Sequence, residues 1–159
     1  MTFDHWLLAL HLLSAAFLVG AMVMFTVLIV AVRRIDRPAQ VLALAPLIRV
    51  GGVAVIVGSL GVVIFGVWLA IALDAYHVWD GWVIVALVLW AIASETGRRA
   101  DPEYAKLFTK AKELQAAGQT ESSAELKALG RTQQGAMLHG IASLAVLLLL
   151  VDMIWKPGA

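Results

Sequence analysis

Four long apolar stretches limit what this chain can fold into. They cover approximately residues 6–32, 51–73, 79–98 and 134–155. Each is as long as the roughly 20 residues that a helix needs to cross a hydrocarbon core. Hydrophobic residues make up 62% of the chain and charged residues 14%, which is too apolar a balance for a core of this size to hide from water. The sequence therefore predicts an all-α membrane protein, a single transmembrane domain with four spans.

The basic residues predict how the spans are oriented. Eleven of the twelve Lys and Arg residues flank the span ends of one side, and only Lys156 lies on the other. Cytoplasmic flanks retain Lys and Arg, so we expect an antiparallel four-helix transmembrane bundle in the cell inner membrane with both termini outside the cytoplasm. The outer side also carries most of the tryptophans, as in an interfacial aromatic belt: Trp6, Trp68, Trp79, Trp82 and Trp155.

The one long polar segment, residues 99–133, is the predicted cytoplasmic loop. Asp101-Pro102 is typical of a helix start, and the apolar residues that follow at helical spacing predict a cytoplasmic amphipathic helix that ends near Gly118. Ser122 and Glu125 form the pattern of a capping box for a second short helix. Two interpretations are open: a docking arm for a partner or acidic lipids, or an extension of the spans against the bundle end.

Composition excludes several classes of function. A net charge of +1 does not suit a nucleic-acid-binding surface. The absence of cysteine excludes disulfides, thiolate metal sites and covalent c-type haem. Asp74, His77 and Asp80 lie close together in the outer loop, but so short a group is better explained as a solvated loop than as a metal site. No set of nucleophile, base and oxyanion donor can be recognised, which favours a protein that is not an enzyme.

Within the predicted spans we single out three ionisable residues, His11, Glu95 and His139. Glu95 is close enough to the inner end to form a structural ion pair with Arg98. For the histidines two roles are open. Each imidazole could hydrogen-bond a facing serine such as Ser14, Ser59 or Ser143, or it could be an axial ligand of haem, which makes His11 and His139 the candidate cofactor-binding residues.

The depths of the two histidines predict that they do not share one iron. At about 1.5 Å per residue, His11 lies about 8 Å below Trp6, whereas His139 lies about 24 Å below Trp155. Each would need a second ligand at its own level. Candidates by depth are His5, His77 and Met153 for His11, and Met22 and Met24 for His139. We expect His11 to be the more important of the two.

The segment Leu10-His11-Leu12-Leu13-Ser14-Ala15-Ala16-Phe17-Leu18-Val19-Gly20 resembles the first span of a group of small bacterial membrane proteins. The group includes the membrane domain of the copper-resistance protein CopD, the HemJ-type protoporphyrinogen oxidases and four-span integral membrane proteins of unknown function. The resemblance implies a membrane bundle in which His11 serves haem or metal. The intramembrane lysine of the HemJ-type enzymes and the Met- and His-rich outer segments of the copper-resistance proteins are missing from this chain.

Two functions follow, and the sequence favours the first. One is an accessory or structural subunit of a larger membrane complex, with membrane lipids and other membrane-protein subunits, or further copies of itself, as partners. The alternative is a membrane redox protein that binds b-type haem and exchanges electrons with a quinone or a partner.

Overall fold

In a computed structural model, which describes residues 3–72 and 77–157, the chain forms helices and no strand. The prediction of an all-α, multi-pass membrane protein is confirmed, because four of these helices (α1, α3, α4 and α6) are long and apolar enough to cross a membrane. Asp74 of the outer loop lies outside the described residues. The helices are α1 (Phe3–Val32), α2 (Pro38–Ala43), α3 (Ala45–Ala72), α4 (Gly81–Ala116), α5 (Ala124–Gly130) and α6 (Gln133–Trp155).

The long helices pack as two pairs, α1 along α3 and α4 along α6. Glycines on α3 permit the first pairing: a Cβ at Gly58 would lie 2.7 Å from the Leu18 nitrogen and 2.9 Å from the Ser14 carbonyl oxygen. Further along, Gly66 lies against the His11 ring. Residue numbers rise along α1 as they fall along α3, so these two helices run in opposite directions. Small residues of this kind are the usual means by which membrane helices approach closely.

The two pairs meet in the middle of the protein. A small apolar cluster of Leu18, Val62 and Val146 contains side chains from both pairs. Next to it, the indole Nε1 of Trp90 on α4 donates a hydrogen bond of 2.8 Å to the Ser59 hydroxyl on α3. This bond explains why Trp90 lies away from the aromatic residues near the span ends.

Most of the apolar surface of the long helices faces outward. In the apolar windows of the four candidate spans, only 17–28% of the residues are buried within the protein. Exposed leucine, isoleucine, valine and phenylalanine side chains follow α1, α3, α4 and α6 along much of their length. Exposure of so much apolar surface to water is unfavourable, whereas contact with the hydrocarbon of a membrane is not.

The tightest packing is found at the polar end of the protein, in what we call the polar-end module: α2, residues 100–116 of α4, and α5. Its core contains Val41, Leu107, Ala111 and Leu126, all with 0% exposure, together with Val32 at the end of α1. The polar segment therefore has a hydrophobic core of its own, at the end of the helix pairs.

The helix boundaries differ from the predicted ones at three places. α4 continues through Asp101 and Pro102 without a break, because the contacts of its distal half with α2 and α5 outweigh the hydrogen bond that proline removes. The second span begins earlier than the predicted residue 51, because α3 starts at Ala45 after a break at Leu44. Ser123, not Ser122, caps α5 by accepting a hydrogen bond from the Leu126 nitrogen.

The predicted stop near Gly118 is confirmed. Helix α4 ends at Ala116, and Gly118 has a φ of 75°. The Gly118 nitrogen then donates to the Gln115 carbonyl and the Gln119 nitrogen to the Leu114 carbonyl, both at 3.0 Å. Glycine is favoured at such a helix end because it adopts the left-handed conformation without steric cost.

Candidate functional site

His11 lies half-buried on α1 and is bound to α3. Its Nδ1 is 3.1 Å from the Val62 carbonyl oxygen, and a Cβ at Gly66 would lie 2.9 Å from its Cε1 atom. Because a carbonyl oxygen can only accept, Nδ1 carries the proton and Nε2 keeps its lone pair. His11 thus joins two helices and still presents one nitrogen that can accept a hydrogen bond or bind a metal.

The predicted serine partners of His11 are used elsewhere. The Ser14 hydroxyl donates to the Leu10 carbonyl at 2.7 Å, and Ser59 accepts from Trp90. The Val62 carbonyl is accessible to an imidazole because Gly66, one turn further along α3, has no side chain to cover it. A backbone acceptor of this kind could not be read from a pattern of polar side chains.

His139 on α6 is bound to α1. Its Nε2 lies 2.9 Å from the Thr26 hydroxyl and 3.4 Å from the Ser143 hydroxyl. Thr26 donates its own proton to the Met22 carbonyl at 2.9 Å, so the imidazole Nε2–H donates to Thr26. Ser143 is therefore confirmed as a partner of His139, whereas Thr26 was missed, although it is a hydroxyl residue within an apolar span.

The structure does not bring the two histidines together. His139 contacts α1 at Thr26, which is about 22 Å along the helix from His11 at 1.5 Å per residue. The expected companion Met24 points toward Gly51 on α3. His77, an expected companion of His11, stacks on Trp79 with ring centroids 4.9 Å apart.

The contacts of the two histidines differ in how well they suit ligation of a haem iron. Ligating imidazoles commonly donate their other ring N–H to a backbone carbonyl, which is the arrangement of His11 and not of His139. Within the described part of the chain, the one hydrogen bond of the His11 ring goes to Val62, and no second ligand lies opposite its Nε2. A groove of about 300 Å³ between α1 and α3 is lined by residues such as Ala16, Gly20 and Ala54, and by neither histidine. The described residues thus supply one nitrogen that could bind the haem iron, the Nε2 of His11, but no pocket for the haem itself. Ligation of one haem by two side chains does not fit this packing.

Glu95 forms the predicted ion pair with Arg98 and a second one with Arg99. Two bonds of 2.9 Å join its carboxylate to Arg98, and Arg99 Nε lies 2.6 Å from Oε1. Since both oxygens have cationic donors one turn away on the same helix, this carboxylate has a structural role at the end of the span.

Charged pairs also connect the helices of residues 99–133, outside the predicted spans. Glu103 accepts from Lys106 at 2.6 Å and from Thr132 at 3.3 Å, and the bond from Lys106 lowers the pKa of Glu103. Lys110 lies 3.1 Å from Glu125 on α5, which raises the pKa of Lys110. The polar-end module is therefore held by matched charges as well as by its core.

Asp152 on α6 is not among the candidate residues predicted from the sequence. It is 7% exposed, and within the described part of the chain its Oδ2 atom has no hydrogen-bond partner. Burying a carboxyl oxygen without a donor is unfavourable. The signal was present in the sequence, since Asp152 falls inside the predicted span 134–155.

Among the described residues, no group of three or more His, Asp or Glu side chains is placed to hold a metal ion. Comparisons with protein-family models, with curated proteins and with solved structures found no match. The function is therefore inferred from the geometry of the chain itself.

Proposed function

We propose that this protein is a non-catalytic accessory subunit of a larger membrane complex. In this proposal the four long helices form an antiparallel bundle in the cell inner membrane, with both termini outside the cytoplasm and residues 99–133 inside it. One observation carries the accessory role: each of the two histidines within the spans joins a pair of helices, His11 through Val62 and His139 through Thr26. The groups best suited to chemistry thus hold the helices together, at levels about 22 Å apart.

The outer faces of the helices support the same proposal. A Cβ at Gly20 on α1 or at Gly140 on α6 would meet no neighbouring helix of the described chain within 4 Å, so both glycines are open to a further membrane helix. Small residues on an outward face let a second membrane helix approach closely. Lipids and further membrane-protein subunits, or other copies of this chain, are the partners that such faces suit.

Two measurements test the accessory role. The tagged full chain is extracted from its native membranes in a mild detergent, and its mass is compared with that of the same chain reconstituted alone. A visible spectrum is recorded on both samples. We expect a larger assembly from native membranes and no Soret band in either sample. A native mass equal to that of the isolated chain, together with a Soret band, would overturn the accessory role.

The second candidate function is a redox protein with b-type haem, related to the CopD and HemJ-type group. The observation that favours it is the Nε2 of His11, which has no hydrogen-bond partner among the described residues and lies opposite an Nδ1 that donates to a backbone carbonyl. Haem would supply one-electron transfer to a quinone or a partner, and His11 would hold it from one side. Under this proposal His11→Ala loses the Soret band, whereas His139→Ala, whose Nε2 is already bound to Thr26, retains it.

A further inference from the structure

Two distant segments of the chain meet at the polar end of the protein. Gly130, the last residue of α5, lies so close to α1 that a Cβ would come within 2.5 Å of the Val32 carbonyl oxygen. The Arg131 Nε donates to the Arg33 carbonyl at 3.5 Å, and the Ser123 nitrogen donates to the Asp36 carbonyl at 2.9 Å. Residues 33–37 and 123–131 therefore lie side by side.

This contact gathers exposed basic side chains from both segments, which we call the basic cluster: Arg33, Arg34, Arg37, Lys127 and Arg131. Residues 33–37 and 123–131 contain two carboxylates, Asp36 and Glu125, and Glu125 is paired with Lys110 at 3.1 Å. In the part of the chain that the structure describes, no ion pair involves a member of the basic cluster. The ion pairs nearby use other cations: Arg98 and Arg99 with Glu95, Lys106 with Glu103, and Lys110 with Glu113 and Glu125.

The basic cluster lies at the depth expected for lipid headgroups. The apolar run of α1 ends at Val32, and Arg33 and Arg34 follow at once, so the cluster begins where the first span leaves the hydrocarbon. Five neighbouring cations repel one another unless an anion is present. The negative ends of the α1 and α5 helix dipoles offset only part of that repulsion. Arginine guanidinium groups match phosphate oxygens with two parallel hydrogen bonds.

We propose that the basic cluster binds the phosphate headgroup of an anionic phospholipid. The inference rests on the proposed insertion in a membrane, but not on the accessory role. A lipid is favoured over a soluble anion because the cluster adjoins the outward apolar face of α1, where acyl chains pack while the phosphate reaches the guanidinium groups.

Native mass spectrometry of the full chain in detergent tests this assignment. The chain is titrated with phosphatidylglycerol and, separately, with zwitterionic phosphatidylcholine. The cluster variant Arg34→Gln/Arg131→Gln is compared with the control variant Arg49→Gln/Lys112→Gln, which removes the same charge from exposed residues outside the cluster. Each basic residue near an anionic lipid contributes about fivefold to binding, so the cluster variant should bind phosphatidylglycerol about 25-fold more weakly. The control variant should change the affinity less than about twofold, because its charges lie outside the cluster.

Three outcomes would overturn the assignment. Equal binding of phosphatidylcholine and phosphatidylglycerol would exclude headgroup charge as the cause. An equal loss in the control variant would mean that net charge, not the cluster, attracts the lipid. Displacement of the lipid by excess inorganic phosphate would make this a site for free phosphate.

A second variant keeps the test decisive if Arg34→Gln/Arg131→Gln loses its helical circular dichroism. Arg37→Gln/Lys127→Gln removes the same charge without touching the bond between Arg131 and Arg33, and the same weakening is expected. The preference for phosphatidylglycerol is measured on the isolated chain. The result therefore does not depend on whether the chain is an accessory subunit or acts alone.

Discussion

Gly58 on α3 and Leu18 on α1 lie in backbone contact, since a Cβ at Gly58 would be 2.7 Å from the Leu18 nitrogen. Backbone atoms cannot turn aside as a flexible side chain can, so any residue larger than glycine must push the two helices apart. The pairing of α1 with α3 therefore depends on the absence of a side chain at this position.

Gly58→Ala should destabilise the protein by about 1–3 kcal/mol, the usual range for overpacking in a filled interior. Unfolding in mixed micelles with increasing sodium dodecyl sulfate, followed by circular dichroism, measures the change. Gly52→Ala on the same helix is the matched control, because a Cβ at Gly52 meets nothing within 4 Å. The control should be neutral or slightly stabilising, since alanine favours the helix more than glycine does. Equal losses in both variants would contradict the contact.

The bond between His139 and Thr26 joins the two helix pairs and can be measured by a double-mutant cycle. Thr26→Val and His139→Ala are each expected to lower stability, with a coupling of about 0.6 kcal/mol, the average for hydrogen bonds between membrane helices. Thr96→Val is the control for the first substitution, because Thr96 bonds only to carbonyls of its own helix. It should show no coupling to His139. A coupling energy near zero between Thr26 and His139 would show that this hydrogen bond does not stabilise the fold.

The sequence predicted the features that depend on local composition. The four spans follow from the length of the apolar runs. The pair of Glu95 with Arg98 follows from a spacing of three residues on one helix, and the same rule applies to His139 with Ser143. Gly118 was recognisable because few other residues end a helix in the left-handed conformation.

Contacts between helices could not be predicted, because they depend on how each helix is rotated and shifted against its neighbour. The bonds of His139 to Thr26 and of Trp90 to Ser59 are of this kind. The path of α4 through Pro102 was mispredicted for a related reason. Packing of Leu107 in the core of the polar-end module, where it is 0% exposed, overrides the local preference of proline.

Leu126 holds α5 in the polar-end module, where it is 0% exposed. Leu126→Ala should cost about 2–5 kcal/mol, because it leaves a cavity in a filled core. The rate of cleavage by trypsin measures this effect. Lys127 lies on α5 and Arg131 just after it, and both sites become cleavable when the polar-end module opens locally. Even 2 kcal/mol should speed cleavage about 30-fold. Leu147→Ala, at a position 56% exposed on α6, should leave the rate unchanged. Equal cleavage of the two variants would mean that Leu126 does not secure α5.

The proposed orientation can be tested by single-cysteine labelling, because the chain contains no cysteine of its own. Glu121→Cys lies exposed between α4 and α5, and Pro157→Cys lies exposed after α6. The excess of Lys and Arg at the polar end predicts that this end stays in the cytoplasm. A membrane-impermeant maleimide applied to spheroplasts should therefore label Pro157→Cys and leave Glu121→Cys unlabelled until the membrane is permeabilised. The unsubstituted chain gives the background, which should be zero. Labelling of Glu121→Cys in sealed spheroplasts would reverse the orientation and would place the basic cluster against the outer leaflet.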